Sequence, residues 1–271
     1  MGNTNERKVY ILNGGTAKIA DCNLDSDTPD ATCTVAGENP GSFLTAGDFD
    51  GDNDYDLAAA DENDPEVYIF HGSTSGVSES ATSINIGTNL ISSLTTGDIN
   101  NDGYDDLVAG SSSYSSSQGI VYVYNGSDSG LSGSADATLE GINSGDRFGS
   151  SLSIGDINKD GYADLTVGAE EYKIGSDNGV GAVYLYKGSS SGINSTEWMH
   201  FYGKTASSYL GYAVTLCDVT GDGYQDLYVI AQGYDWDVAG PLQGRVYFFT
   251  GSSTSTPLSG SWYCNAEIQV D

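Results

Sequence analysis

The stretch GDINNDGYDDLVAG (97–110) decides the fold, because near-copies follow it as GDINKDGYADLTVG (155–168) and CDVTGDGYQDLYVI (217–230). A fourth acidic loop begins at Asp48 and runs into DLAAAD. The loops start at Asp48, Asp98, Asp156 and Asp218, at spacings of 50, 58 and 62 residues. One acidic, glycine-bearing segment is an ordinary turn; four at similar spacing are an architecture.

A second motif recurs between the loops: VYILNG from Val9, VYIFHG from Val67, VYVYNG from Val121, VYLYKG from Val183 and VYFFTG from Val246. Each mixes β-branched or aliphatic residues with aromatics and ends at glycine, as a strand with a turn after it does. Small-residue runs precede the loops (SFLTAG, ISSLTTG, RFGSSLSIG, YLGYAVTLC), and DLAAAD, DLVAGS, DLTVGA and DLYVIA follow them. A more irregular fourth segment, such as ADATLEG or EWMHFYG, completes each unit. Four strands in about 50–60 residues is the unit of a β-propeller blade.

The sequence therefore predicts an all-β fold, a β-propeller of four-stranded blades, within one domain over 1–271. Complete blades are expected at about 41–88, 89–140, 141–203 and 204–271, after a half blade at 8–38 that supplies two strands. That count leaves three arrangements open: a segment of a larger ring, a half blade completed by another chain, and a ring that closes imperfectly.

Composition agrees with short strands and tight turns, with 37 glycines in 271 residues and no long stretch of helical periodicity. The 38 acidic residues against 9 basic ones give a net charge of −29. Such a polyanion repels nucleic acid and anionic lipid, so neither is expected as a partner. No run is long enough to span a membrane, and the start MGNTNERKVY has no apolar signal core. An export signal, if used, lies outside this chain.

Aligned on their first aspartate, the loops share a donor pattern. Position one is Asp48, Asp98, Asp156 and Asp218; position three is Asp50, Asn100, Asn158 and Thr220; position five is Asp52, Asp102, Asp160 and Asp222. Position nine is Asp56, Asp106, Asp164 and Asp226. Position six, Asn53 or glycine, tolerates a left-handed backbone. Hard oxygen donors at odd spacings can curl round a calcium ion, which takes six to eight oxygens. The carbonyls of position seven (Asp54, Tyr104, Tyr162, Tyr224) and water are expected to complete the shell.

The matched positions hold 13 aspartates, whose mutual repulsion a cation would relieve. About four Ca²⁺ are expected, one per complete blade, with the first loop tightest and the fourth, which offers only Thr220 at position three, weakest. An EF-hand would need Glu at position twelve and flanking helices; here the loop closes at nine and runs straight into a strand.

These residues resemble the FG-GAP repeats of the integrin α-subunit propeller. The third repeat, RFGSSLSIGDINKDGYADLTVGAEE, carries the Phe148–Gly149 pair, the D-x-N-x-D-G-x-x-D loop, and Gly168–Ala169 before Glu170 where that family has proline. The fourth keeps LGYAV, and the first two lack the FG pair. The resemblance implies a calcium-bracketed propeller, usually seven-bladed, exposed outside the cell and binding other macromolecules. It places the loops on the face away from the main ligand surface.

No catalytic constellation emerges, and the chain is expected not to be an enzyme. His71 ends a VYxx strand where other repeats have Asn, Lys or Thr and reads as a turn residue; His200 lies among aromatics. No serine stands in a nucleophile-elbow context. Adhesion or binding of a protein or glycan is the leading expectation, with Tyr234 and Trp236 as exposed aromatics that could stack on a sugar. The alternatives are a calcium-stiffened scaffold or filament unit, self-associating through the incomplete blade, and part of a secreted polysaccharide-active enzyme.

Cys22 and Cys33 could close a disulfide across a polar loop, whereas Cys217 and Cys264 fall in apparent strands, where buried free thiols are expected. Asn125 and Asn194 stand in glycosylation-type triplets.

Overall fold

A computed structural model of the chain describes residues 9–11, 31–33, 42–78, 80–233 and 244–252. These form antiparallel sheets, with one irregular helical turn at Tyr114–Ser117. The first hairpin pairs β1 (Val9–Ile11) with β2 (Ala31–Cys33), the two strands expected of the half blade. Blade 1 is β3 (Phe43–Gly47), β4 (Asp56–Ala60), β5 (Glu66–Phe70) and β6 (Thr82–Asn85). Blade 2 is β7 (Ser93–Gly97), β8 (Asp106–Ser111), β9 (Ile120–Tyr124) and β10 (Ala137–Glu140). Blade 3 is β11 (Phe148–Gly155), β12 (Asp164–Ala169), β13 (Ala182–Tyr186) and β14 (Met199–Tyr202). Blade 4 contributes β15 (Leu210–Cys217), β16 (Asp226–Ala231) and β17 (Arg245–Phe249). Within each blade the strands pair in chain order.

The expected fourth strand of blade 4 lies outside the described residues, as do Cys22, Cys264, Tyr234, Trp236 and the side chain of Cys33.

The hydrophobic core lies between blades. One face of blade 1 (Ala58, Ala60, Val67, Ile69) meets Leu107, Ala109 and Tyr124 of blade 2. Val108, Val121 and Val123, on the other face of blade 2, meet Leu165, Val167 and Tyr184 of blade 3. Val183, Leu185 and Phe201 of blade 3 then meet Leu227, Val229 and Phe249 of blade 4. Both faces of an inner sheet are thus covered, and β8 and β12 are buried along their whole length. That explains why runs such as DLTVGA are nearly continuous rather than alternating with charge.

The FG pair has a geometric role. β11 bulges between Phe148 and Ser151, and β15 bulges between Leu210 and Ala213. Gly149 and Gly211 sit in these bulges at φ 83° and 85°. Each turns its carbonyl onto a glycine of the preceding blade: a Cβ on Gly110 would fall against Gly149 O, and one on Gly168 against Gly211 O. Phe148 is buried edge-on to Tyr184, ring centroids 5.3 Å apart. Glu170, which replaces the family's proline, pairs with Arg147 at 3.0 Å beside the bulge.

Blade 4 departs from this rule. Where blades 2 and 3 have Gly110 and Gly168, it carries Ile230, 37% exposed. Cys217 stands where Gly47, Gly97 and Gly155 would each, if given a Cβ, meet a side chain of the following blade at about 3 Å (2.9, 2.9 and 3.0 Å). Cys217 is exposed, which corrects the expectation of a buried thiol. It lies on the face of blade 4 away from blade 3; Val219, two residues on, and Tyr212, in the bulge at the other end of β15, are also exposed. This face is not shaped to receive another blade by the FG joint.

Candidate metal centres

Each acidic loop links the first two strands of its blade: β3 to β4, β7 to β8, β11 to β12 and β15 to β16. Position-six residues adopt positive φ as expected: Asn53 69°, Gly103 92°, Gly161 92° and Gly223 84°. A second left-handed residue, at position four, is not foreseen by the motif: Gly51 73°, Asn101 55°, Lys159 60° and Gly221 74°. Two such residues give each loop a tight curl.

The carboxylates hold that curl. Position one accepts the position-six N–H in every loop, at 2.9 Å in Asp48, 3.0 Å in Asp98, 2.9 Å in Asp156 and 2.8 Å in Asp218. Position five accepts the position-seven N–H: Asp52 from Asp54, Asp102 from Tyr104, Asp160 from Tyr162 and Asp222 from Tyr224. At position three, Asp50, Asn100 and Asn158 accept from the position-five N–H, and among the described hydrogen bonds Thr220 Oγ1 makes no such bond. These are Asx-type contacts, which hold the loop backbone in its curl. In the first loop, carboxylate oxygens of Asp48, Asp50 and Asp52 lie within 4.8 Å of one another. An all-oxygen set fits a hard cation such as Ca²⁺.

Position nine does more than its place in the motif discloses. Asp56, Asp106, Asp164 and Asp226 are at most 1% exposed. One oxygen of each accepts the N–H of position two: Phe49, Ile99, Ile157 and Val219. The other accepts the N–H of the glycine ending the VYxx strand: Gly72 at 2.7 Å, Gly126 at 2.9 Å, Gly188 at 3.2 Å and Gly251 at 3.0 Å. This carboxylate ties loop to third strand with or without an ion. The recurrent HG, NG, KG and TG dipeptides were its signal.

Burial sets the electrostatics. Desolvation pushes Asp106 up to about 6 and Asp164 up to about 7; backbone N–H donors oppose the shift, and neighbouring loop carboxylates add to it. Asp56 moves the same way, with His71 opposing the shift. Without a cation, these groups hold their protons to higher pH than free carboxylates do.

The loops also touch across blades. Asp105 of the second loop accepts the Asp48 N–H at 2.9 Å, and Asp105 N–H donates to Asp48 O at 2.8 Å. A Cβ on Gly51 would lie 2.6 Å from the Tyr104 ring, and Lys159 Nζ sits 5.0 Å over the Tyr224 ring. Position two carries the core under the loops: Phe49, Ile99 and Ile157 are fully buried, whereas Val219 is 61% exposed. Elsewhere, His200 pairs with Glu197 at 2.9 Å, Asn194 is exposed, and the Asn125 amide oxygen is buried without a hydrogen-bond partner.

Residues 48–109 match the FG-GAP-like repeat family, and residues 148–186 and 210–249 match the FG-GAP repeat family. The chain is 37% identical over 148 residues to phosphatidylinositol-glycan-specific phospholipase D of Rattus norvegicus, covering 50% of this chain and 18% of that protein. It is 34% identical over 139 residues to integrin alpha-6 of Gallus gallus, covering 49% and 12%, and 32% identical over 177 residues to integrin alpha-5 of Xenopus laevis, covering 60% and 16%. The match therefore takes in less than a quarter of the length of these relatives, and it is a match of repeats. A phospholipase and two integrins share it, so it carries no enzymatic activity with it. With blades, bulges and loops all in register with these matches, the chain belongs to the FG-GAP repeat family.

Proposed function

We propose that this chain is a cation-stapled propeller module that presents a rigid surface for protein or glycan recognition outside the cell or at its surface. The recurrence of one loop conformation, held by the same carboxylate-to-backbone hydrogen bonds at the same β–β corner of four blades, carries this reading. Four such loops carry much of the acidic excess, and they stand where successive blades touch. A Ca²⁺ in each, held by positions one, three, five and nine with the position-seven carbonyl, would fix strand pairing and blade spacing together. In this reading the module supplies no chemistry of its own, and the resemblance to integrin α-subunits supports a role in adhesion or binding. No helix among the described residues is long and apolar enough to cross a membrane.

A scaffold role is favoured by one observation, the exposed apolar side chains Tyr212, Val219 and Ile230 of blade 4. Concentration-dependent self-association in sedimentation would support it, and a monomer at all concentrations would remove it.

Calorimetric titration of EDTA-stripped protein tests the calcium reading. About four bound Ca²⁺ are expected, with Kd about 10⁻⁴–10⁻³ M as in extracellular modules. At a hundredfold excess over Kd, each site linked only to the folded state adds about 2.7 kcal/mol, so Tm should climb with Ca²⁺. Asp52→Ala should remove the tightest site and Asp222→Ala the weakest. No heat at millimolar Ca²⁺ together with an unmoved Tm would reduce the loops to acidic turns.

A further inference from the structure

We infer that blade 1 carries a transition-metal site, built from His71, Asp50 and Asp56, that the other blades lack. His71 Nδ1 lies 3.6 Å from Asp56 Oδ1 and 4.0 Å from Asp50 Oδ2, and the three donor atoms all fall within 4.8 Å of one another. Two ligands bound to one zinc ion at about 2.1 Å are about 3.4 Å apart in a tetrahedron and never more than about 4.2 Å. Both distances from the imidazole fall within that limit. Asp50 is half-buried, and at 4.0 Å its carboxylate must approach the imidazole to reach tetrahedral spacing. Asp56 is fixed by its two backbone donors and presents Oδ1 toward the imidazole.

The chemistry of the donors separates this set from the loops. Calcium takes oxygen, whereas an imidazole nitrogen beside two carboxylates suits Zn²⁺, Co²⁺ or Ni²⁺, with water as the remaining ligand. With Nδ1 on the ion, the proton of the neutral ring sits on Nε2. At the corresponding strand ends the other blades have Asn125, Lys187 and Thr250, none of which offers an aromatic nitrogen. Asp50 and Asp56 are also positions three and nine of the first loop, so the zinc set shares two carboxylates with the proposed calcium set and the two ions compete. The inference does not require the loops to bind calcium, because in calcium-free protein the site needs only these three side chains.

The test is titration of the EDTA-stripped full chain with Zn²⁺, and with Co²⁺ as an optical reporter, at pH 7.5 without calcium. One Zn²⁺ per chain should bind through His71, and His71→Asn should weaken it at least tenfold and abolish the Co²⁺ absorption band. Asparagine occupies the equivalent position 125, so this variant is expected to fold, with circular dichroism and Tm in EDTA as the check. His200→Asn should behave as the parent. The unaltered protein gives a second measurement: with two histidines in the chain, Zn²⁺ should shift one ring-proton set in the NMR spectrum and leave the other in place. Undiminished zinc affinity in His71→Asn, loss in His200→Asn, or no ring shift on adding Zn²⁺ would each overturn the proposal. Calcium stoichiometry in His71→Asn, measured separately, reports on the loops and not on this site.

Discussion

Gly168→Val is expected to loosen blade 4 from blade 3 and to cost about 3 kcal/mol or more in stability. Its backbone has no left-handed φ, so the demand for glycine is one of space. Ser151 Oγ donates to Gly211 O at 2.8 Å, and a side chain at 168 would displace both atoms. Overpacking a core commonly costs about 1–3 kcal/mol when neighbours can move. Here one neighbour is backbone held in a bulge, so the upper end or beyond is expected. Denaturant unfolding would measure the loss. Amide exchange would localise it, with β15 losing protection while β4 and β5 keep theirs. Ile230→Gly in blade 4 is the control: its position is equivalent but exposed, and the change should cost about 1 kcal/mol or less. Equal losses in the two variants would mean that glycine at this site serves something other than the joint.

The same joint shows what the sequence did and did not disclose. VYxx runs and acidic loops located strands and blades because each repeats in register, and repetition is a strong signal even where a single run is ambiguous. The FG pair in the third repeat was visible, but its partner was not: Gly110 and Gly168 are ordinary strand residues until another blade is laid on them. Ile91 occupies the place of Gly149 in blade 2, β7 has no bulge, and Ala60 opposite is accordingly tolerated. Cys217 was expected to be buried because its own strand looked apolar. Exposure there depends on the neighbouring sheet, which local pattern does not encode.

The candidate centres were legible to a similar depth. Loop positions one, three, five and six follow from residue type and spacing, and the loop curls as they imply. Spacing marks position nine only as an oxygen donor, yet its two backbone partners come from position two and, in blade 1, from the glycine 16 residues further on, just past β5. His71 looked like a turn residue for the same reason: its distance to Asp50 and Asp56 is set by strand pairing, Leu57 with Phe70, and not by proximity in sequence.

If calcium fills the loops as proposed, its removal should invert the pH dependence of stability, because position nine is both buried and acidic. In the cation-free protein, Asp106 near 6 and Asp164 near 7 lie above the ordinary carboxylate value of 3.8. Between about pH 4 and 7 the folded state therefore binds more protons than the unfolded chain. Stability must then fall as pH rises through this window. Each pKa unit corresponds to about 1.4 kcal/mol, so these two groups alone bias stability by a few kcal/mol, and Asp56 acts in the same direction. A bound divalent ion holds the same carboxylates ionised, and protons must then compete with it. Stability of the loaded protein should accordingly rise over the same window. Calorimetric Tm from pH 5 to 8, in EDTA and in millimolar Ca²⁺, should give slopes of opposite sign. General repulsion within a chain of net charge −29 also weakens the cation-free fold as pH rises, so the slope alone does not identify its source. Asp164→Asn does, because it removes one titration while keeping the side-chain volume. Its amide will leave one backbone donor without an acceptor, lowering Tm at every pH, but it should flatten the EDTA slope in proportion to the group's share. An EDTA Tm that rises with pH would show that these aspartates are already ionised in the empty fold, and the buried carboxylate would then be a fixed charge held by its backbone donors rather than one awaiting a cation.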